Sequence, residues 1–89
     1  MVEKKFTIES SQGLHARPAS VLVNHVTNFE GDVMVHYNGQ SINLKSIMGI
    51  MGLAISQGAE IKVTAEGEKE EEIMESLEDV LKEQELVKN

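Results

Sequence analysis

Apolar residues change their period along this chain, and the order of those changes limits what it can fold into. They recur at every second position over Val2–Glu9, where Val2, Phe6 and Ile8 share a face. The same alternation returns over Asp32–Tyr37 (Val33, Val35, Tyr37), Gln40–Leu44 (Ile42, Leu44) and Glu60–Glu66 (Ile61, Val63, Ala65). Period two marks a strand with one buried face. Helical spacing appears in three other places. From Ala16 onward Ala19, Leu22, Val23 and Val26 line one side, Phe29 closes the face and Gly31 is expected to stop the helix. Ser46 is a preferred N-cap for a short helix from Ile47, which Gly49 and Gly52 keep brief. The longest helix is predicted over Glu68–Leu86, with Ile73, Leu77, Val80 and Leu81 as its buried stripe and Glu70–Glu72 complementing the dipole of its first turns. Asn38-Gly39, between two alternating runs, fits a type I′ hairpin turn, because both residue types accept positive φ. The order strand-helix-strand-strand-helix-strand-helix, with one apolar face per element, predicts a two-layer α+β sandwich whose sheet leaves its other face to solvent.

The 89 residues are expected to form one domain, 1–89, large enough for a modest core without a staple. Cysteine is absent, so disulfides and thiolate metal sites are excluded, and a reducing compartment is compatible with this. The N-terminal stretch Met1–Phe6 has no long apolar run, which predicts neither a signal peptide nor a membrane span. The net charge of −7 falls entirely in the last helix: residues 1–65 carry five acids and five bases, and residues 66–89 carry ten acids and three lysines. With no basic surface, and with one Tyr, two Phe and no Trp to stack on bases, direct nucleic-acid binding is disfavoured. His15, His25 and His36 lack ligand spacing, so no metal site is expected. His25 falls on the polar side of the first helix with Asn24 and Asn28, and His36 points away from the Val33/Val35 face; neither is given a role.

The chemistry concentrates in Gly13-Leu14-His15-Ala16-Arg17-Pro18-Ala19. Pro18 is tolerated in a first helical turn, which places His15 just before the helix. Its imidazole then lies beside the unpaired N–H groups of Ala16 and Arg17, at an end of the helix that favours anions. The Arg17 guanidinium can fork onto phosphate or carboxylate oxygens, and Gly13 permits a tight turn into the site. A nucleophilic nitrogen, two free amides and an arginine together suit accepting and holding a phosphoryl group. The same residues also permit a plainer reading, an exposed histidine beside a solvated arginine.

Ser46 also has two readings, a structural cap and an exposed hydroxyl open to phosphorylation. A phosphate there adds about −1.5 to −2 charges without disturbing the fold. In the segment that follows, Ile47, Ile50, Leu53 and Ala54 are expected to cover one face. Met48 is assigned to a surface patch for partners, and Met51 stays open between patch and core filler.

Gly13-Leu14-His15-Ala16-Arg17-Pro18-Ala19, together with Asn43-Leu44-Lys45-Ser46-Ile47-Met48-Gly49-Ile50-Met51, resembles HPr, the histidine-containing phosphocarrier family of the bacterial phosphoenolpyruvate:sugar phosphotransferase system, in its Gram-positive form. The likeness spans essentially the whole chain. It implies an open-faced βαββαβα sandwich, a four-stranded antiparallel sheet with its helices on one face. It implies that His15 takes a phosphoryl group on Nδ1 from phosphorylated enzyme I and passes it to EIIA components of sugar permeases, steadied by Arg17. It makes Ser46 the target of HPr kinase/phosphorylase, with the Ser46-phosphorylated form a corepressor of catabolite control protein A in carbon catabolite repression. Ser20, Ile47, Met48 and Met51 become the docking surface. A cytoplasmic, monomeric carrier without a cofactor follows, a substrate of enzymes rather than one itself. Gln12, Ser20, Gly52 and Ala54 depart from the residues usual in that family. The rival class is a regulatory module read through Ser46 alone, as in the related Crh, which carries glutamine at the position of His15. A phosphocarrier for a relay without a sugar permease is a further alternative.

Overall fold

The computed structural model describes residues 1–88; Asn89, the last residue of the expected domain, lies outside it. Seven elements follow one another: β1 (Val2–Thr7), α1 (Ala16–Val26), β2 (Gly31–Tyr37), β3 (Gln40–Asn43), α2 (Ile47–Gly52), β4 (Glu60–Gly67) and α3 (Glu70–Glu83). The strands form a single antiparallel sheet in the order β1-β4-β2-β3. The alternation sets the register. Phe6 lies opposite Ile61, and Val35 lies between Val63 and Ile42, so the apolar side chains line up under the helices. Phe6, Ile8, Val33, Val35, Ile61, Val63 and Ala65 are all buried, joined in the core by Leu22 and Val26 of α1, Ile50 of α2 and Leu77 and Leu81 of α3. The β2–β3 hairpin turns through Asn38 (φ 53°) and Gly39 (φ 81°), the two positive values a type I′ turn requires. This is the predicted open-faced sandwich, and no helix among the described residues is long and apolar enough to cross a membrane.

Several boundaries differ from expectation for local reasons. Helix α1 ends at Val26 rather than at Gly31, and the Phe29 N–H closes a final turn on the Val26 carbonyl at 3.0 Å. Gly31 instead opens β2 opposite Gly67, where an added Cβ would lie 2.3 Å from the Glu66 carbonyl oxygen. Helix α3 is shorter at both ends than Glu68–Leu86. Its C-terminus is cut by Glu85, which adopts φ 59°. The Glu85 N–H returns to the Lys82 carbonyl (3.0 Å) and the Leu86 N–H to the Leu81 carbonyl (2.9 Å), the paired bonds of a Schellman ending. Leu86 is thereby core but not helix, and its carbonyl accepts from the Glu9 N–H at 2.7 Å. Met74 joins Leu77 and Leu81 in the buried stripe, while Ile73 and Val80 flank it half-buried. Lys4 hydrogen-bonds Glu78 across β1 and α3, which holds the Glu78 carboxyl below the usual carboxylate range.

The two histidines left without a role are structural ties. His25 Nε2 lies 2.9 Å from Ser76 Oγ, which itself donates to the Ile73 carbonyl at 3.1 Å, so the imidazole N–H donates to the serine and links α1 to α3. On the open sheet face His36 covers the buried Thr64, whose Oγ1 lies 2.9 Å from Nε2, and meets Ser41 Oγ at 2.7 Å from Nδ1. Ala54 also departs from expectation. It is exposed rather than part of an apolar face, and it ends the turn after α2 at φ 53°. An L-residue held there is strained relative to glycine. Ala54→Gly is expected to raise unfolding stability by about 0.5–1 kcal/mol, the steric relief less the extra backbone entropy of glycine. Urea denaturation of the two proteins measures this directly.

Candidate functional site

His15 is aimed by the loop that enters α1. After β1 the Gly13 N–H closes a turn on the Ser10 carbonyl at 2.9 Å, and Gly13 takes φ 66°. The next residue, Leu14, is buried and its N–H donates to the Ile55 carbonyl at 3.0 Å. The two backbones approach so closely that a Cβ on Gly13 would sit 2.4 Å from the Ile55 oxygen and 2.8 Å from the Ser56 Cα. Glycine is therefore needed here for both conformation and space. His15 follows as the N-cap of α1, in extended backbone (φ −88°, ψ 179°), with its carbonyl accepting the first helical bond from the Ala19 N–H at 3.1 Å.

That bond defines which amides are free. The N–H groups of Ala16 and Arg17 precede the first helical donor, and Pro18 has none to leave unpaired. Among the described residues no side chain caps them, the His15 ring included. The imidazole is half-buried, with Nδ1 3.3 Å from the Gly13 carbonyl oxygen. That separation is long for a hydrogen bond, and because a carbonyl can only accept, it is a hydrogen bond only in the tautomer with its proton on Nδ1. For the Nδ1 lone pair to reach an electrophile, the ring must turn away from Gly13 and carry its proton on Nε2.

His15, Arg17 and Ser20 lie along one open depression with Gln12, Ala16 and Val21. The fold thus brings three of the predicted site residues together. Gln12, noted in the sequence only as a departure from a family pattern, is a fourth side chain at the same place. Arg17 is exposed and makes no ion pair among the described residues, so its guanidinium is available to an anion. Pro18 and Ala19 point the other way, into the core. Among the described residues no group of three or more His, Cys, Asp or Glu is placed to hold a metal ion.

Ser46 stands at the start of α2, exposed, with its Oγ accepting the Gly49 N–H at 3.1 Å. Gly49 keeps the helix brief by its low helix propensity, and its place has a packing reason as well. A Cβ there would meet Ile42 Cγ2 at 2.6 Å and crowd Ser46 Oγ at 3.1 Å. Met48 is 83% exposed, whereas Ile47 and Met51 are half-buried against the core. Helix α2 packs on α1, so this apolar rim and the His15 helix belong to the same helical layer. Gly13→Ala is expected to cost about 2–4 kcal/mol, combining left-handed strain with a backbone clash. Hydrogen exchange should show the Leu14 amide losing protection first, since its bond to Ile55 is the one that must lengthen.

A family model described as the PTS HPr component phosphorylation site matches residues 2–83. The histidine-containing phosphocarrier protein of a Mycoplasma superposes with a TM-score of 0.96 at 32% identity, over 99% of this chain and 100% of that one. An HPr from Thermoanaerobacter tengcongensis gives 0.87 at 42% identity, over 96% and 94%. Crh, the catabolite-repression protein of Bacillus subtilis, crystallised as an intertwined dimer with a swapped domain, gives 0.72 at 40% identity, over 99% and 100%. With its phosphorylation-site pattern matched from residue 2 to residue 83 and its fold shared along nearly its full length, the chain belongs to the HPr family of phosphotransferase-system phosphocarriers.

Proposed function

We propose that His15 is the phosphoryl acceptor, taking the group on Nδ1 from phosphorylated enzyme I and handing it to EIIA components of sugar permeases, with residues 1–89 acting as one cytoplasmic, monomeric carrier domain. The observation that carries this reading is the pair of unpartnered amides, Ala16 and Arg17, beside an uncapped imidazole. The imidazole in its neutral form attacks phosphorus in line with the donor's leaving group. The new N–P bond forms as the donor's bond to phosphorus breaks, and the Nε2 proton stays in place. Turning the ring off the Gly13 carbonyl swings Nδ1 toward the helix start. There the phosphoryl oxygens accept from the Ala16 and Arg17 N–H groups, and the Arg17 guanidinium neutralises part of their charge. Transfer onward reverses the same step, so the protein is a carrier and not an enzyme that turns over alone.

Ser46 is the second modification site in this reading, phosphorylated by HPr kinase/phosphorylase and read in that form by catabolite control protein A. Ser20 on α1, with Ile47, Met48 and Met51 on α2, makes the docking rim. Phosphate on Ser46 places about −1.5 to −2 charges beside the exposed Met48, which opposes apolar association without unfolding anything. The likeness to Crh supports a second reading, a regulatory module in which only Ser46 is used.

Incubation with phosphoenolpyruvate and purified enzyme I, followed by intact mass and acid treatment, separates the two. One acid-labile phosphate is expected, absent in His15→Ala. Arg17→Ala is expected to slow transfer by about 10- to 100-fold, the worth of one charge-assisted hydrogen bond. No incorporation, together with acid-stable, ATP-dependent labelling lost in Ser46→Ala, would establish the regulatory module instead.

A further inference from the structure

The turn that presents Ser46 is built almost entirely from its own residues. The Lys45 N–H donates to Asn43 Oδ1 at 2.8 Å, and the Ser46 N–H donates to the Asn43 carbonyl at 3.0 Å. Just before them, buried Leu44 is pinned to β2 by its N–H on the Val33 carbonyl at 2.8 Å. One side-chain bond leaves this group. The Lys45 ammonium reaches back 16 residues and donates to the Phe29 carbonyl at 2.8 Å. Phe29 forms the exit of α1, its own N–H on the Val26 carbonyl. Lys45 is half-buried and makes no ion pair among the described residues. A lysine gives up side-chain freedom to hold such a geometry, so a lysine held this way in a surface turn constrains the chain around it.

We propose that Lys45 is a positioning residue for the Ser46 hydroxyl: its ammonium locks the Asn43–Ser46 turn onto the exit of α1, and being engaged there it is neither a ligand for an incoming phosphate nor a charge that a kinase reads. The proposal rests on Ser46 being the acceptor. It assigns the neighbouring positive charge an inward task, although the sequence Lys-Ser would ordinarily be taken as a basic recognition mark beside a modified serine. The hydroxyl already shares a narrow space with the Gly49 N–H and, beyond it, Ile42, so a small displacement of the turn changes where Oγ points. A misaimed nucleophile lowers the rate of the chemical step; a lost recognition charge weakens binding.

The test compares Lys45→Met, which keeps the apolar stem, and Lys45→Arg, which keeps a donor, with the parent protein. The substrates are ATP and purified HPr kinase/phosphorylase. Lys45→Met is expected to lower kcat for Ser46 phosphorylation several-fold with KM little changed, and Lys45→Arg to restore most of it. Labelling of His15 by enzyme I should be the same in all three, which shows that each is folded. Hydrogen exchange at Gly49 should quicken in Lys45→Met and recover in Lys45→Arg, a readout that needs no kinase. A raised KM with unchanged kcat would assign Lys45 to kinase recognition and overturn the proposal. So would unaltered Gly49 exchange in Lys45→Met. Absence of Ser46 phosphorylation in the parent protein would instead overturn the reading of Ser46, with Gly49 exchange still deciding whether Lys45 holds the turn.

Discussion

The backbone of Gly13 and Leu14 is pressed against that of Ile55 and Ser56, and the rest of the site depends on that contact. One hydrogen bond of 3.0 Å, from Leu14 to Ile55, and one position with no room for a side chain fix where the loop ends. Burial of Leu14 and Ile55 on either side of the bond keeps water from competing for it. His15 then has to emerge in extended geometry at the start of α1, and the first two amides of the helix have to face outward beside its ring. Ile55 in turn is delivered by the left-handed turn at Ala54 that ends α2. The His15 end of α1 is therefore braced by the chain leaving the helix that begins with Ser46.

This arrangement ties the two proposed modification sites, His15 and Ser46, to a common frame without direct contact between their reactive atoms. Helix α1 carries His15 at its start, and its exit at Phe29 receives the Lys45 ammonium. Helix α2 carries Ser46 at its start, and its exit leads to Ile55. Each helix begins at one site and ends at a brace of the other. Ser46 is exposed and His15 half-buried, while the residues that place them are buried or hydrogen-bonded, which suits side chains that other proteins approach.

The strands and their faces were legible from the sequence because period two allows one register once an apolar face is buried, and Asn38-Gly39 marked the hairpin. The loop entering α1 was legible for a related reason: glycine and proline, at Gly13 and Pro18, each have strong local preferences within a few residues. Helix ends were harder. The chain turns left-handed at Ala54 and Glu85, residue types that give no sign of it, while Gly31, which does look like a stop, serves a close approach to Gly67 within the sheet. Long-range ties to backbone atoms were invisible as well. The reach of Lys45 to the Phe29 carbonyl and of Leu14 to the Ile55 carbonyl depends on which segments the fold places side by side, and a carbonyl acceptor leaves no trace in residue type. The same holds for His25 and His36, polar by pattern yet committed to hydroxyls on neighbouring elements.

In the proposed carrier the uncapped start of α1 is the seat of the transferred group. The most direct test is the amide ¹H and ¹⁵N chemical shifts of the protein before and after phosphorylation by enzyme I. On that placement the Ala16 and Arg17 amides are expected to move furthest, downfield as they acquire a charged acceptor, with the Leu14 amide nearly still because its bond to Ile55 is retained. Unmoved Ala16 and Arg17 amides in a protein carrying one acid-labile phosphate would contradict it, and would place the group away from the helix start.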